Sequence, residues 1–258
     1  MRNTLSMTVT LTNIETQENR EHMLGLPAIR DANDHGIEKE WRDGIPVLRN
    51  WVLQDPSFAV TAYDVRDEPL LVLDLRGHTG GNDAIAWQWL YNYSGHQALY
   101  SMLFAHLRLN SATVREIAPL LFPSAPTGSL PEWTRFELPY GRDIIPNDRL
   151  VIVLTCNSIG SAGDTFVGYL RQMENVVIVG VNTMGVLVTG MVADVVLPYS
   201  GLGVRFGVSL NVRPDLSQFE GVGFAPDLWV NPADSMDRVF RFIERYRLDD
   251  VSNQSLIP

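Results

Sequence analysis

The sequence contains a single cysteine, Cys156, and a single lysine, Lys39, in 258 residues. One thiol excludes an internal disulfide and any metal site built on cysteines. Its place at the end of an apolar run reads as a buried thiol, not a nucleophile. Positive charge is otherwise arginine and is outnumbered: 20 Lys+Arg against 30 Asp+Glu leave a net charge of −10. No basic cluster exists, which argues against nucleic acid or an anionic membrane as partner. No apolar run approaches the ~20 residues of a membrane span. Residues 1–15 alternate apolar and polar without the continuous stretch of an export signal. As written, the chain reads as cytoplasmic, or as exported if it was trimmed from a longer precursor. Internal repeats and low-complexity segments are missing as well.

Composition is that of an ordinary globular protein, with 45% hydrophobic and 19% charged residues. The length suits one large domain, or one domain with a small appendage. Residues 1–44 read as an N-terminal strand (Met7–Thr12) and a polar connecting region, a remnant of a preceding module, and residues 45–258 as the core. Within the core, a strand is expected at Ile45–Leu53. Leu70–Leu75, Val151–Leu154 and Val176–Val179 are nearly continuous apolar runs, as in strands buried on both faces of a parallel sheet. Helices are expected after Asn82-Asp83 (an N-cap signal), from Gln97 to Leu107, after Ser161, and from Asp234 to Tyr246. Residues 122–148 carry Pro123, Pro126, Pro131, Pro139 and Pro146 and read as a loop region. Residues 189–212 read as a β-hairpin. Strands alternating with helices give an α/β class with mostly parallel pairing, plus the hairpin and the small N-terminal region.

The chemistry centres on Cys156-Asn157-Ser158-Ile159-Gly160-Ser161-Ala162-Gly163-Asp164. Ser161 lies between a buried strand and a helix start, where free backbone N–H groups point at whatever the hydroxyl attacks. The bland alternative is a capping box, Ser161 capping the helix and Asp164 reaching back three residues later. Upstream, Asp74-Leu75-Arg76-Gly77-His78-Thr79-Gly80-Gly81 ends a strand in a glycine loop that could bring a second N–H to the same oxyanion. Its bland alternative is a tight turn with Asp74 and Arg76 paired locally. Gly201-Leu202-Gly203 is assigned to hairpin geometry. No metal and no organic cofactor is implied.

Read in order, four segments resemble the C-terminal processing (tail-specific) serine proteases, a family that includes the tricorn core protease and the interphotoreceptor retinoid-binding proteins. Leu71 to Gly81 is similar to Asp-Leu-Arg-Gly-Asn-x-Gly-Gly, with His78 at the asparagine. Val153 to Asp164 is similar to the nucleophile strand and turn. Val179-Gly180-Val181-Asn182-Thr183-Met184-Gly185 and Glu220-Gly221-Val222-Gly223-Phe224-Ala225-Pro226-Asp227 are similar to the Gly-x-x-Thr-x-Gly and Glu-Gly-x-Gly-x-x-Pro-Asp segments. The resemblance implies a crotonase/ClpP-like fold and Ser161 as nucleophile. It implies an oxyanion hole from the Ala162 amide and that of Gly80 or Gly81. It also implies peptide or protein substrates, C-terminal tails among them.

Tail-specific members pair the serine with a lysine about twenty-five residues downstream, and that position is Val186; without an adjacent base a serine hydroxyl is a poor nucleophile. The tricorn branch also lacks this lysine. It uses an upstream histidine supported by a glutamate, which Glu220 resembles. His22, His35 and His78 precede Ser161 in regions that suit a base, whereas His96 and His106 read as helical surface or packing residues. His78, on the oxyanion loop, is the candidate base, with Glu220 to orient it; its bland alternative is a turn residue bonding its own loop. Three readings therefore stand: a serine peptidase with a non-lysine base, a non-hydrolytic binder of peptides or apolar ligands, and a core turned to another acyl or tailoring reaction. A homo-oligomer whose second subunit supplies the missing base fits the first.

Overall fold

The apolar runs form the middle of a six-stranded sheet in the computed structural model, which describes residues 5–12, 19–26, 36–98, 105–108, 134–137, 144–196, 199–212 and 220–250. Its strands are β3 (Ile37–Arg42), β4 (Ile45–Asn50), β5 (Leu70–Asp74), β8 (Leu150–Thr155), β9 (Val176–Gly180) and β12 (Leu228–Trp229), in the spatial order β12-β9-β8-β5-β4-β3. Every pair from β12 to β4 is parallel, and only β3 runs antiparallel to β4. That hairpin turns on Asp43-Gly44, both at positive φ (52° and 80°), the two-residue geometry that Asp-Gly favours.

Parallel neighbours need crossovers, and three of them run through helices on one face: α1 (Ser57–Val65), α2 (Asp83–Ser94) and α3 (Ala162–Leu170). Because strand side chains alternate, Leu71, Leu73, Val151 and Val153 meet these helices. Leu70, Val72, Ile152 and Leu154 face the other way, onto Met236, Val239, Phe240 and Ile243 of α4 (Ser235–Tyr246). Trp89 of α2 is fully buried at the meeting of the three helices, stacked on Tyr93 (centroids 5.0 Å) and edge-on to Phe166 of α3 (5.4 Å). Truncating such a residue to alanine costs about 3–5 kcal/mol. Asn82 caps α2, its side chain accepting from the Ala84 N–H at 3.0 Å. The mostly parallel α/β core is therefore as the apolar runs indicated.

A second, antiparallel sheet has the order β10-β11-β6-β7, from β6 (Ala105–Arg108), β7 (Thr134–Glu137), β10 (Thr189–Val196) and β11 (Gly203–Val212). The β10–β11 pair is the expected hairpin. The expected helix over Gln97–Leu107 is corrected at its end: Ala105–Arg108 pairs with β11 and β7, because cross-strand partners outweigh local propensity. His106 therefore lies on a strand, and Thr134–Glu137 is a strand inside the proline-rich stretch. Residues 99–104 of that helix lie outside the described residues.

The chain divides into two compact units, Met1–His35 and Gly36–Pro258. In the first, β1 (Leu5–Thr12) pairs antiparallel with β2 (Asn19–Leu26), from Leu5 opposite Leu26 to Thr12 opposite Asn19. The stretch read as a polar connection thus contains β2 and β3, and His22 lies on β2. His35 lies outside the described residues.

Candidate active site

Strand β5 ends in Asp74, whose buried carboxylate accepts from Arg76 Nε (2.8 Å) and Nη2 (2.7 Å) and from Arg49 Nε (3.2 Å). Arg76 reaches on to the Pro232 carbonyl (2.6 Å) and the Ser235 hydroxyl (3.2 Å) at the start of α4. The local pairing of Asp74 and Arg76 is therefore real, and its effect is to fix the loop that follows. Cys156, a buried free thiol, accepts the Gly77 N–H at 3.2 Å and secures the same loop.

The loop then passes directly beside the serine. A Cβ built on Gly80 would sit 3.2 Å from Ser161 Cβ and 3.7 Å from its Oγ. Gly81 has φ of 136°, and a Cβ there would collide with the Leu53 carbonyl. Only glycine meets both demands. Ser161 itself is exposed and adopts φ 54°, ψ −122°, a region that costs a non-glycine residue about 1–3 kcal/mol. Its side chain makes no capping bond, so the hydroxyl half of the capping box is corrected. A strained strand-to-helix turn that raises a serine Oγ is the geometry of a nucleophile elbow, reached here without the usual leading glycine. Gly163 N–H to Gly160 carbonyl (3.0 Å) and Thr165 N–H to Ser161 carbonyl (3.0 Å) brace the turn.

The amides beside Ser161 differ in whether they are engaged. Among the described residues no acceptor engages the Ala162 or Gly81 N–H, whereas the Gly80 N–H donates to His78 Nδ1 at 3.0 Å. Of the two loop amides anticipated, Gly81 is the one left open among the described residues, and Gly80, with its amide engaged, lies against Ser161. His78 is fully buried, packed so closely on α3 that a Cβ on Gly163 would collide with its Nδ1. As to the base expected at His78, that nitrogen already accepts an amide, and among the described residues the Ser161 hydroxyl has no hydrogen-bond partner.

On the far side, Val186 is half-buried, with Cγ2 3.7 Å from where a Gly160 Cβ would lie; Met184 Sδ is 3.4 Å from the same point. The wall facing the serine segment is apolar. It is held by Asp164, fully buried, whose two carboxylate oxygens accept the Gly185 (3.1 Å) and Val186 (2.9 Å) amides. Burial pushes the Asp164 carboxyl above its ordinary value, opposed by bonds from Thr183, those two amides and the Ser161 N–H. Sequence reasoning took Asp164 for a helix cap; nothing local signals that it bridges to residues 183–186. Glu220 is exposed and its Oε2 accepts the Val188 N–H at 2.9 Å, so its contact leads to this wall and not to His78. Gly221 N–H to Gly185 carbonyl (3.0 Å) and Phe224 N–H to Thr183 Oγ1 (2.8 Å) lock the two glycine-bearing segments together. Lys39 is far from such a role, paired with Asp64 at 2.6 Å. Among the described residues no cluster of metal ligands occurs and no helix is long and apolar enough to cross a membrane.

The model of peptidase family S41 matches residues 58–230. No curated protein shows significant sequence similarity to the chain. Among solved structures, a serine-to-alanine mutant of CPAF aligns with a TM-score of 0.54 at 14% identity, covering 98% of this chain and 69% of that one. A candidate peptidase of Parabacteroides merdae ATCC 43184 gives 0.51 at 17% identity, covering 87% and 67%. A candidate S41 protease of Bacteroides fragilis NCTC 9343 gives 0.50 at 17% identity, covering 93% and 66%. The chain spans 56% of the length of a further similar structure, the photosystem II D1 C-terminal processing protease. At these identities the structures establish a shared fold.

Proposed function

The chain belongs to peptidase family S41, and from that premise we propose that it is a serine peptidase acting on peptides or proteins, with Ser161 as nucleophile. The observation that carries the reading is the strained, exposed Ser161 turn set against the Gly80-Gly81 loop. The hydroxyl attacks the scissile carbonyl, and the developing oxyanion takes hydrogen bonds from the Ala162 and Gly81 amides. One such donor is worth about 2.7–4 kcal/mol of transition-state stabilisation. Collapse of the tetrahedral adduct expels the amine and leaves an acyl-enzyme, which water hydrolyses. The proton acceptor is not a lysine, since Val186 holds that position and Lys39 is engaged elsewhere. C-terminal tails are the proposed substrates, entering along the apolar wall of Met184 and Val186.

The second reading, a family member that binds peptides without cutting them, is favoured by one observation: no base is bonded to the Ser161 hydroxyl among the described residues, and the wall beside Gly160 is formed by Met184 and Val186. Incubation with a peptide library of varied C-termini, read by mass spectrometry for new termini, separates the two. The peptidase reading expects cleavage by wild type and none by Ser161→Ala. Tight peptide binding with no cleavage by either protein would establish the binder instead.

A further inference from the structure

His78 closes a short ring with its own loop: the backbone N–H two residues on, at Gly80, donates to its Nδ1 at 3.0 Å. The side chain is fully buried, and its ring lies against the glycine that follows Ala162 in the first turn of α3. The loop is pinned around it by His78 N–H to the Leu75 carbonyl (3.0 Å), Thr79 N–H to the Trp51 carbonyl (2.9 Å) and Leu53 N–H to the Gly80 carbonyl (2.9 Å). These bonds fix the carbonyl and amide of Gly80, and the next amide along, that of Gly81, is the one with no acceptor among the described residues.

We infer that His78 is a positioning residue for the oxyanion hole and not the proton acceptor: its imidazole wedges between the Gly80-Gly81 loop and α3, engages the Gly80 amide, and so leaves the Gly81 amide for substrate. The inference rests on the serine-peptidase reading. Two glycines in succession at φ of 107° and 136° have no conformational preference of their own that would hold such a loop. An acceptor atom supplied from residue 78 holds it. Imidazole performs this task only as the neutral tautomer with its proton on Nε2. Asparagine can perform the same task, because its side-chain oxygen readily accepts a backbone N–H two residues on. Asparagine cannot act as a base near neutral pH, so it separates the two roles.

The test compares wild type, His78→Asn and His78→Ala by the second-order rate of Ser161 labelling with a fluorophosphonate. Wild type is also examined by NMR for nitrogen–nitrogen coupling across the Gly80–His78 hydrogen bond. The inference expects the coupling in wild type and about a 100-fold slower labelling for His78→Ala, the size of a lost oxyanion donor. It expects His78→Asn to recover to within about tenfold of wild type. If His78→Asn folds and labels as slowly as His78→Ala, His78 is a proton acceptor and the inference falls. Absence of the coupling overturns it whatever the rates, including the case in which the alanine variant does not fold. Coupling without any labelling of wild type would instead place the failure in the serine-peptidase reading.

Discussion

The two sides of Ser161 are built differently. On the side of the glycine loop, every neighbour is fixed by close contact: Gly80 against the serine, Gly81 against the Leu53 carbonyl, His78 against Gly163, and Asp74 bound to Arg49 and Arg76. On the opposite side stand Met184 and Val186, and the nearby carboxylates of Asp164 and Glu220 are bonded to backbone amides. The first side carries the Ala162 and Gly81 amides, which have no acceptor among the described residues. Among the described residues, the second shows no group hydrogen-bonded to the Ser161 hydroxyl. Stabilising an oxyanion and activating a nucleophile are thus separable properties, and in the proposed mechanism the glycine-loop side serves the first.

The largest effect is expected from Gly81→Ala. The new Cβ would collide with the Leu53 carbonyl at a φ that alanine resists, so the loop must leave its place. A loss of about 3 kcal/mol of stability or more, with labelling abolished, is expected; chemical denaturation and probe kinetics measure both. Unchanged labelling would break the link between loop geometry and the site. Val186→Lys acts on the other side. A lysine held half-buried against the serine segment is desolvated, which lowers its pKa and makes it a usable base. Labelling is expected to accelerate by about tenfold or more and to rise with pH. Slower labelling at every pH would mean that a working base already occupies the site.

Glu220 sharpens the contrast by a smaller amount. Its carboxylate oxygen accepts one amide, and glutamine retains such an oxygen, so Glu220→Gln should alter turnover less than about threefold. Glu220→Ala frees residues 185–188 and should raise KM more than it lowers kcat. A large kcat loss in the glutamine variant would restore a charge-dependent role for Glu220. The smallest effect concerns the frame alone. Tyr93 is buried with a hydroxyl that finds no hydrogen-bond partner among the described residues, and burial pushes its pKa up to about 12. The protonated form is therefore favoured in the fold: its contribution is complete below pH 10 and is lost as pH rises through about 12, a difference of about 2–3 kcal/mol. Tyr93→Phe should remove this alkaline slope and raise Tm by about 2–4 °C, leaving labelling unaffected. A lower Tm would show that the hydroxyl is satisfied.

Legibility in the sequence followed the range of the forces. The runs Leu70–Leu75, Val151–Leu154 and Val176–Val179 announced buried parallel strands because burial on both faces leaves an uninterrupted apolar signature. Asn82 announced its helix because capping is local. The Asp43-Gly44 hairpin was equally local, and was passed over because β3 (Ile-Glu-Lys-Glu-Trp-Arg) is mostly exposed and shows no clean alternation. Ala105–Arg108 became a strand through pairing with residues about a hundred positions away, which no window reveals. At the site, Ser161, Ala162 and the glycine loop were visible as ordered segments. The partition between Gly80 and Gly81 was not, since it depends on which amide His78 engages. Nor was the role of Asp164, whose partners at 183–186 are distant in the chain.

The central claim, that Ser161 is a nucleophile served by a preformed oxyanion hole, is tested most directly by intact-protein and peptide mass spectrometry after fluorophosphonate treatment. The account predicts one phosphonyl adduct on the peptide carrying Ser161, and none on an equally stable Ser161→Ala protein. An adduct that persists in the alanine variant, or a wild type that stays unmodified at saturating probe, would contradict it.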